Sequence, residues 1–172
     1  MIHINNQGLE LEVIERKGQS CIVKFKASGS VRAASYNNII NGKVKDLYYP
    51  SRYGVGYDGE IIKTSYWKPA KQLWSNMLKR CYCESDKRGY KAKGTTVDAR
   101  WHCFANFLDD LPSLEGFSEW LKGGMDLDKD SICPEANVYS RHTCKFIERS
   151  ENRAMGKRGK RKVDGVWVTT KS

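Results

Sequence analysis

The hydrophobic period changes partway along this chain, and that change restricts the fold more than any other feature. In Leu9-Glu10-Leu11-Glu12-Val13-Ile14 and Cys21-Ile22-Val23-Lys24-Phe25, apolar residues alternate or cluster between turns marked by Gly18 and Gly29, as short strands require. From Trp74 the period lengthens. Trp74, Met77, Leu78, Cys81 and Tyr82 stand at i, i+3, i+4, i+7 and i+8, while Lys71, Lys79 and Arg80 fall largely off that stripe, so these residues describe one apolar face of a helix. Pro69 suits a first helical position, which predicts a helix over 69–82. Trp101, Phe104, Phe107, Leu108 and Leu111 keep helical spacing after Val97 and stop at Pro112, predicting a second helix. Phe117, Trp120 and Leu121 make a short third segment closed by Gly123-Gly124. An α+β chain is therefore expected, with residues 1–64 as a small β-barrel-like module, 65–152 as a second domain on a helical scaffold, and 153–172 as a basic tail.

With 172 residues the chain has room for one ordinary domain or two small ones with an appendage, which excludes a large multidomain enzyme. Forty per cent apolar residues suffice for a core. No apolar run approaches the roughly 20 residues of a membrane span, and Met1-Ile2-His3-Ile4 resembles no signal segment. We expect a soluble cytoplasmic protein without membrane contact. The six Cys lack paired Cys-x-x-Cys knuckles, so reduced, mostly buried thiols are expected rather than a disulfide scaffold or a zinc ribbon. The formal charge of +10 points to a polyanionic partner, and +6 of it lies in the last twenty residues. Tyr48 to Gly59 gathers four Tyr and three Gly around Pro50. That loop reads either as an aromatic plug closing the end of the barrel or as a surface that stacks on bases or sugars.

The chemistry concentrates beyond Gly124. Met125-Asp126-Leu127-Asp128-Lys129-Asp130 is a strand-like segment with three carboxylates. A loop through Pro134 and Asn137 follows, then Val138-Tyr139-Ser140-Arg141-His142-Thr143, a second short strand at Cys144-Lys145-Phe146-Ile147, and a helical start at Arg149-Ser150-Glu151-Asn152. The order is strand, loop, strand, helix.

This segment resembles the HNH endonucleases, in particular phage-type HNH homing endonucleases, in which an Asp-His pair ends the first strand, a small polar residue follows, and an Asn or His stands on the helix. Asp128-Lys129 takes the first place, Thr143 the second at 14 residues from Lys129, and Asn152 the third at nine residues from Thr143. The likeness extends to Trp74-Ser75-Asn76-Met77, Arg80-Cys81-Tyr82, Val97 to Trp101, Phe104 to Phe107 and Tyr139-Ser140, over residues 66–152. It implies a ββα-metal unit that hydrolyses phosphodiester bonds of double-stranded DNA in a phage-infected bacterial host. Asp128 and Asn152 would hold Mg²⁺ or another divalent cation, and Lys129 would occupy the place of the general base. Thr143 would orient Lys129 or the substrate, and Asp130 joins the catalytic candidates as the carboxylate flanking Lys129.

Lys129 departs from the family pattern. An unperturbed Lys near pKa 10.4 is protonated at pH 7 and accepts no proton, so its expected role is to stabilise charge on the reacting phosphate. His142 is the other candidate base, and a surface His without a role is the plainer reading of it. An inactive HNH descendant that still binds DNA is the alternative function. At the ends, residues 8–59 resemble the SH3-like module that accompanies such proteins, which implies DNA contact. Residues 157–166 resemble the lead-in to an ethylene-response-factor type DNA-binding domain, but the chain ends at Ser172, leaving a basic arm. Lys157, Arg158, Lys160, Arg161 and Lys162 are its expected phosphate contacts.

Overall fold

A computed structural model describes residues 1–85, 91, 93–133, 135–152, 160–163 and 166–169. The chain divides into two units, Met1–Ile62 with Cys103–Ala105, and Lys63–His102 with Asn106–Ser172. Helices and strands are mixed along it, an α+β content. No helix among the described residues is long and apolar enough to cross a membrane.

In the first unit, β1 (Ile2–Ile4), β2 (Glu10–Lys17), β3 (Ser20–Phe25) and β4 (Val31–Ser35) form one antiparallel sheet in chain order, followed by the short helix α1 (Tyr36–Ile40). Alternation in β3 buries Cys21, Val23 and Phe25, and Leu11, opposite Phe25, adds to the same core with Ile39 and Val44. The register shifts between Val13 and Glu15, leaving Ile14 as a bulge residue without a partner and half exposed.

The expected barrel does not close. After α1, residues 41–62 contribute only the isolated bridges Arg52–Gly56 and Tyr57–Cys103, so among the described residues no strand joins β4 back to β1 and the sheet keeps both edges. The plug reading of the Tyr loop falls with the barrel: Tyr48 and Tyr57 lie against each other at 6.2 Å, and Tyr48 and Tyr53 stay substantially exposed. Asn5 anchors the other end of the unit. Its Oδ1 accepts from Gln7 and Leu9 N–H, and its Nδ2 donates to the Val44 carbonyl at 2.9 Å.

The second unit is built on α2 (Trp67–Tyr82), which buries Ala70, Trp74, Met77, Leu78 and Cys81. It begins two residues before the expected start at Pro69. The N–H groups of a first turn have no intrahelical partner, so Pro costs nothing there. The predicted helix through Trp101 and Leu111 is two elements: a 3-10 turn at Ala99–His102, then α3 (Phe104–Asp110), with a second 3-10 turn at Leu111–Ser113. The break falls at Cys103, which bridges Tyr57. Phe104 N–H donates to the Tyr57 carbonyl and Ala105 N–H to the Asp58 carbonyl instead of continuing a helical ladder. Asp98 caps the start of the first 3-10 turn through Arg100 and Trp101 N–H. Then α4 (Phe117–Lys122) ends at Gly123. A Cβ on Gly116, at φ 80°, would stand 2.6 Å from the Phe146 carbonyl oxygen, so only Gly lets the chain enter α4 past that backbone.

Two pairings place the site. β5 (Thr96–Val97) runs parallel to β7 (Val138–Tyr139), and β6 (Met125–Asp128) runs antiparallel to β8 (Lys145–Glu148), with Asp128 opposite Lys145. Residues 149–152 are helical. The tail expected as an arm contains an antiparallel pair, β9 (Lys160–Val163) and β10 (Val166–Thr169). Its sequence signal is Asp164-Gly165 between the two runs, a strong hairpin dipeptide.

Candidate functional site

The end of β6 is where the carboxylates gather. Asp128 is buried at 8% exposure, and its Oδ2 accepts from the backbone N–H of Asp130 at 3.0 Å and of Ser131 at 2.7 Å. Those two bonds fold the chain back at the strand end and fix the carboxylate. Among the described residues no hydrogen bond reaches its Oδ1. Lys129 is buried at 7%, with Nζ donating to Asp130 Oδ1 at 2.5 Å. Asp130 is half exposed, so this pair sits at the edge of solvent.

Thr143 closes the loop that leads to β8. Its hydroxyl donates to the Val138 carbonyl at 2.7 Å and accepts from Ser140 N–H at 3.1 Å. Ser140 Oγ accepts from His142 N–H, and the His142 side chain is exposed. Cys144 follows, buried beside the Asp128 and Lys129 charges; burial above all, with Asp128 adding to it, pushes its thiol up to about 12.

Asn152 has a different neighbour from the one expected. Its Nδ2 donates to Asp126 Oδ2 at 3.3 Å, and Arg149 Nε donates to Asp126 Oδ1 at 3.1 Å. Asp126, rather than Asp128, is therefore the carboxylate that the helical residues bond. Among the described residues no group of three or more His, Cys, Asp and Glu is placed to hold a metal ion. Of the tail candidates, Lys160, Arg161 and Lys162 lie in β9, while Lys157 and Arg158 lie outside the described residues.

Sequence reasoning missed Asp110. Its side chain is 6% exposed and takes both Arg100 Nε at 2.8 Å and Arg100 Nη2 at 3.0 Å, with Trp101 Nε1 at 2.9 Å and Arg141 at 3.9 Å. Burial opposes its ionisation, but the Arg100 and Trp101 bonds and the two arginine charges outweigh it and hold the carboxyl below its usual range. Asp110 thus ties the 3-10 turn and α3 to the loop carrying Thr143. Arg100 and Asp110 stand ten residues apart, so no local pattern signals the pair. Thr95 is a second such tie, donating to Asn137 Oδ1 at 2.6 Å beside the β5–β7 pairing.

The Cys144 thiol gives a stability prediction. An unfolded thiol titrates near 8.5 and the folded one at about 12, so between those values the unfolded state binds fewer protons and stability falls as pH rises. The urea midpoint should decline from pH 8 to pH 10, and Cys144→Ala should remove part of that decline. Equal slopes in parent and variant would contradict the assignment.

No family model, curated protein or solved structure matches this chain.

Proposed function

We propose that the strand, loop, strand and helix of the second unit form an HNH-like, metal-dependent DNA endonuclease. The observation that carries this reading is the order and pairing of its elements: β6 and β8 are antiparallel, helical residues 149–152 follow, and Asp128-Lys129, Thr143 and Asn152 stand at the strand end, the loop and the helix. The donor set suits a hard divalent cation, because Asp128 Oδ1 and the Asn152 amide oxygen accept no hydrogen bond from the described residues and both are oxygen donors. Asp128 and Asn152 are the residues that would hold it, and when bound it supplies Lewis-acid polarisation of the phosphate and an activated water.

The protein's own groups do the rest. The two N–H bonds to Asp128 Oδ2 hold its carboxylate in one orientation. Lys129 Nζ donates one N–H to Asp130 Oδ1 and has two more N–H groups for phosphate oxygens carrying developing charge. Thr143 holds the loop between Val138 and Ser140, which fixes the distance between the strands' ends. Asp126 steers the Asn152 amide through its Nδ2, leaving the amide oxygen for the ion.

Two contacts favour a second reading, a non-cleaving DNA-binding descendant: Lys129 is engaged by Asp130, and Asn152 by Asp126. Incubation of the protein with supercoiled plasmid, with and without Mg²⁺, separates them. Nicking abolished by a chelator supports the endonuclease, and binding without nicking supports the descendant.

Either reading assigns the basic tail to phosphate contact. Deleting residues 153–172 removes seven of the thirty Lys and Arg, so affinity for unrelated duplexes should drop to a similar extent and the salt dependence should flatten. An unchanged slope of log affinity against log salt would show that the tail does not touch DNA.

A further inference from the structure

We propose that the groove between α2 and the α4–β6 connection holds one strand of DNA by its phosphates, with Arg80 as the recognising group. This inference rests on the DNA-directed reading above. The groove has a volume of about 730 Å³ and lies wholly within the second unit. Pro69, Gln72, Leu73, Asn76 and Arg80 form its α2 wall, a row at i, i+3, i+4, i+7 and i+11 distinct from the stripe that the helix buries. The opposite wall runs from Trp120 to Asp126.

Arg80 is the observation that calls for a ligand. Its Nε is buried and has no hydrogen-bond partner among the described residues, and a guanidinium nitrogen left unsatisfied is costly. Arg80 also lines the groove, so an anion entering there meets its charge. Lys122 and Arg149 line the same groove against a single carboxylate, Asp126, which is already bonded by Arg149 and Asn152. The lining therefore carries an excess of positive charge.

The shape and the position favour a nucleic-acid strand over a small anion. The volume exceeds what a lone phosphate fills, and the walls alternate cations with the apolar surfaces of Leu73, Trp120 and Leu121, Leu121 being 51% exposed. A polymer of charged phosphates joined by apolar sugars and planar bases matches that alternation. Asp126 in the groove wall and Asp128 at the candidate site stand two residues apart on β6, roughly 7 Å along the strand. A DNA strand in the groove is thereby led to the Asp128 end.

The test is fluorescence anisotropy of a short labelled duplex and of its separated strand, in EDTA, against KCl concentration, with the full chain and the variants Arg80→Met, Arg80→Lys and Lys122→Gln. Arg80→Met and Lys122→Gln should each weaken binding on the order of tenfold and lower the salt slope by about one, with partial recovery in Arg80→Lys. Without DNA, Arg80→Met should melt at or above the parent's temperature, because it removes an unsatisfied donor; a structural role for Arg80 gives a lower melting temperature. Lys122 is exposed, so its variant decides the matter if Arg80→Met folds poorly. Parent binding with unchanged affinity and slope in both Arg80→Met and Lys122→Gln overturns the groove assignment and leaves the DNA reading standing. Absence of any DNA binding by the parent at low salt overturns the DNA reading and the groove with it. Displacement of the duplex by polyglutamate from the parent but not from Arg80→Met assigns the groove to acidic protein and overturns the proposal.

Discussion

Replacing Asp110 by Ala should cost about 2–4 kcal/mol of stability, a large share of the roughly 5–15 kcal/mol that holds a domain folded. The substitution strips the buried Trp101 indole N–H of its acceptor and removes the carboxylate that Arg100 and Arg141 share, leaving Arg100 paired with Asp109 at 3.5 Å. The Arg100 contribution is discounted because that side chain is 42% exposed and keeps part of its hydration. Asp110→Asn should lose less, since an amide oxygen still accepts from Trp101. The pH dependence has a definite sign. The folded carboxyl lies below its usual value, so the stabilisation is complete above the unfolded pKa near 3.9 and is lost as pH falls through the folded one. Urea unfolding of parent and both variants at pH 7 and pH 3 measures this, and a loss below about 0.5 kcal/mol in Asp110→Ala, the scale of a surface change, would show that the clamp does not bear on the fold.

The second large effect belongs to Lys129. If its ammonium stabilises charge on the reacting phosphate, Lys129→Ala should lose on the order of 10²–10³ in the nicking rate, as removal of a comparable donor does. Lys129→His should keep or raise the rate, because imidazole titrates near neutral pH and restores a proton acceptor at that place. The buried setting sharpens the test. Lys129 is 7% exposed and salt-bridged to Asp130, so Asp130→Asn should release the ammonium from its counter-charge and change the cleavage rate while leaving the metal requirement intact. A parent that cleaves and a Lys129→Ala that cleaves equally fast would displace the active site from this residue, toward His142 or Asp130. The non-cleaving descendant gives no nicking from the parent and a gain in Lys129→His.

How far the fold could be read in advance depended on whether a buried face left a local pattern. β2 and β3 were legible because Leu11, Cys21, Val23 and Phe25 fill one face of the sheet. β1 and β4 were not, since Ile2, Ile4 and Val31 are exposed edge residues without a hydrophobic contrast to mark them. Barrel closure depends on pairing between distant strands, and strand spacing alone carries no information about it. Trp101 and Phe107 keep helical spacing across a 3-10 turn and a separate helix because both are buried, their rings 5.0 Å apart in a T-shaped contact. The break between them falls at Cys103, where Phe104 and Ala105 N–H bond the Tyr57 and Asp58 carbonyls, partners far back in the chain that spacing does not reveal.

At the site, the positions of Asp128, Lys129, Thr143 and Asn152 were legible as an interval pattern. Their partners were not. Asn152 Nδ2 bonds Asp126, a contact that depends on strand register and on where residues 149–152 begin relative to β6. Thr143 holds backbone on both sides of its loop, a role that a bare Thr in a sequence does not announce.

Cleavage of DNA at the Asp128 end of β6 with a bound divalent ion is tested by comparing the parent with Asp128→Ala on supercoiled plasmid under Mg²⁺ and under Mn²⁺. Chelator-sensitive conversion to nicked or linear plasmid is expected from the parent and none from Asp128→Ala, with both proteins still binding the plasmid. Cleavage by Asp128→Ala at the parent's rate would contradict that placement of the site.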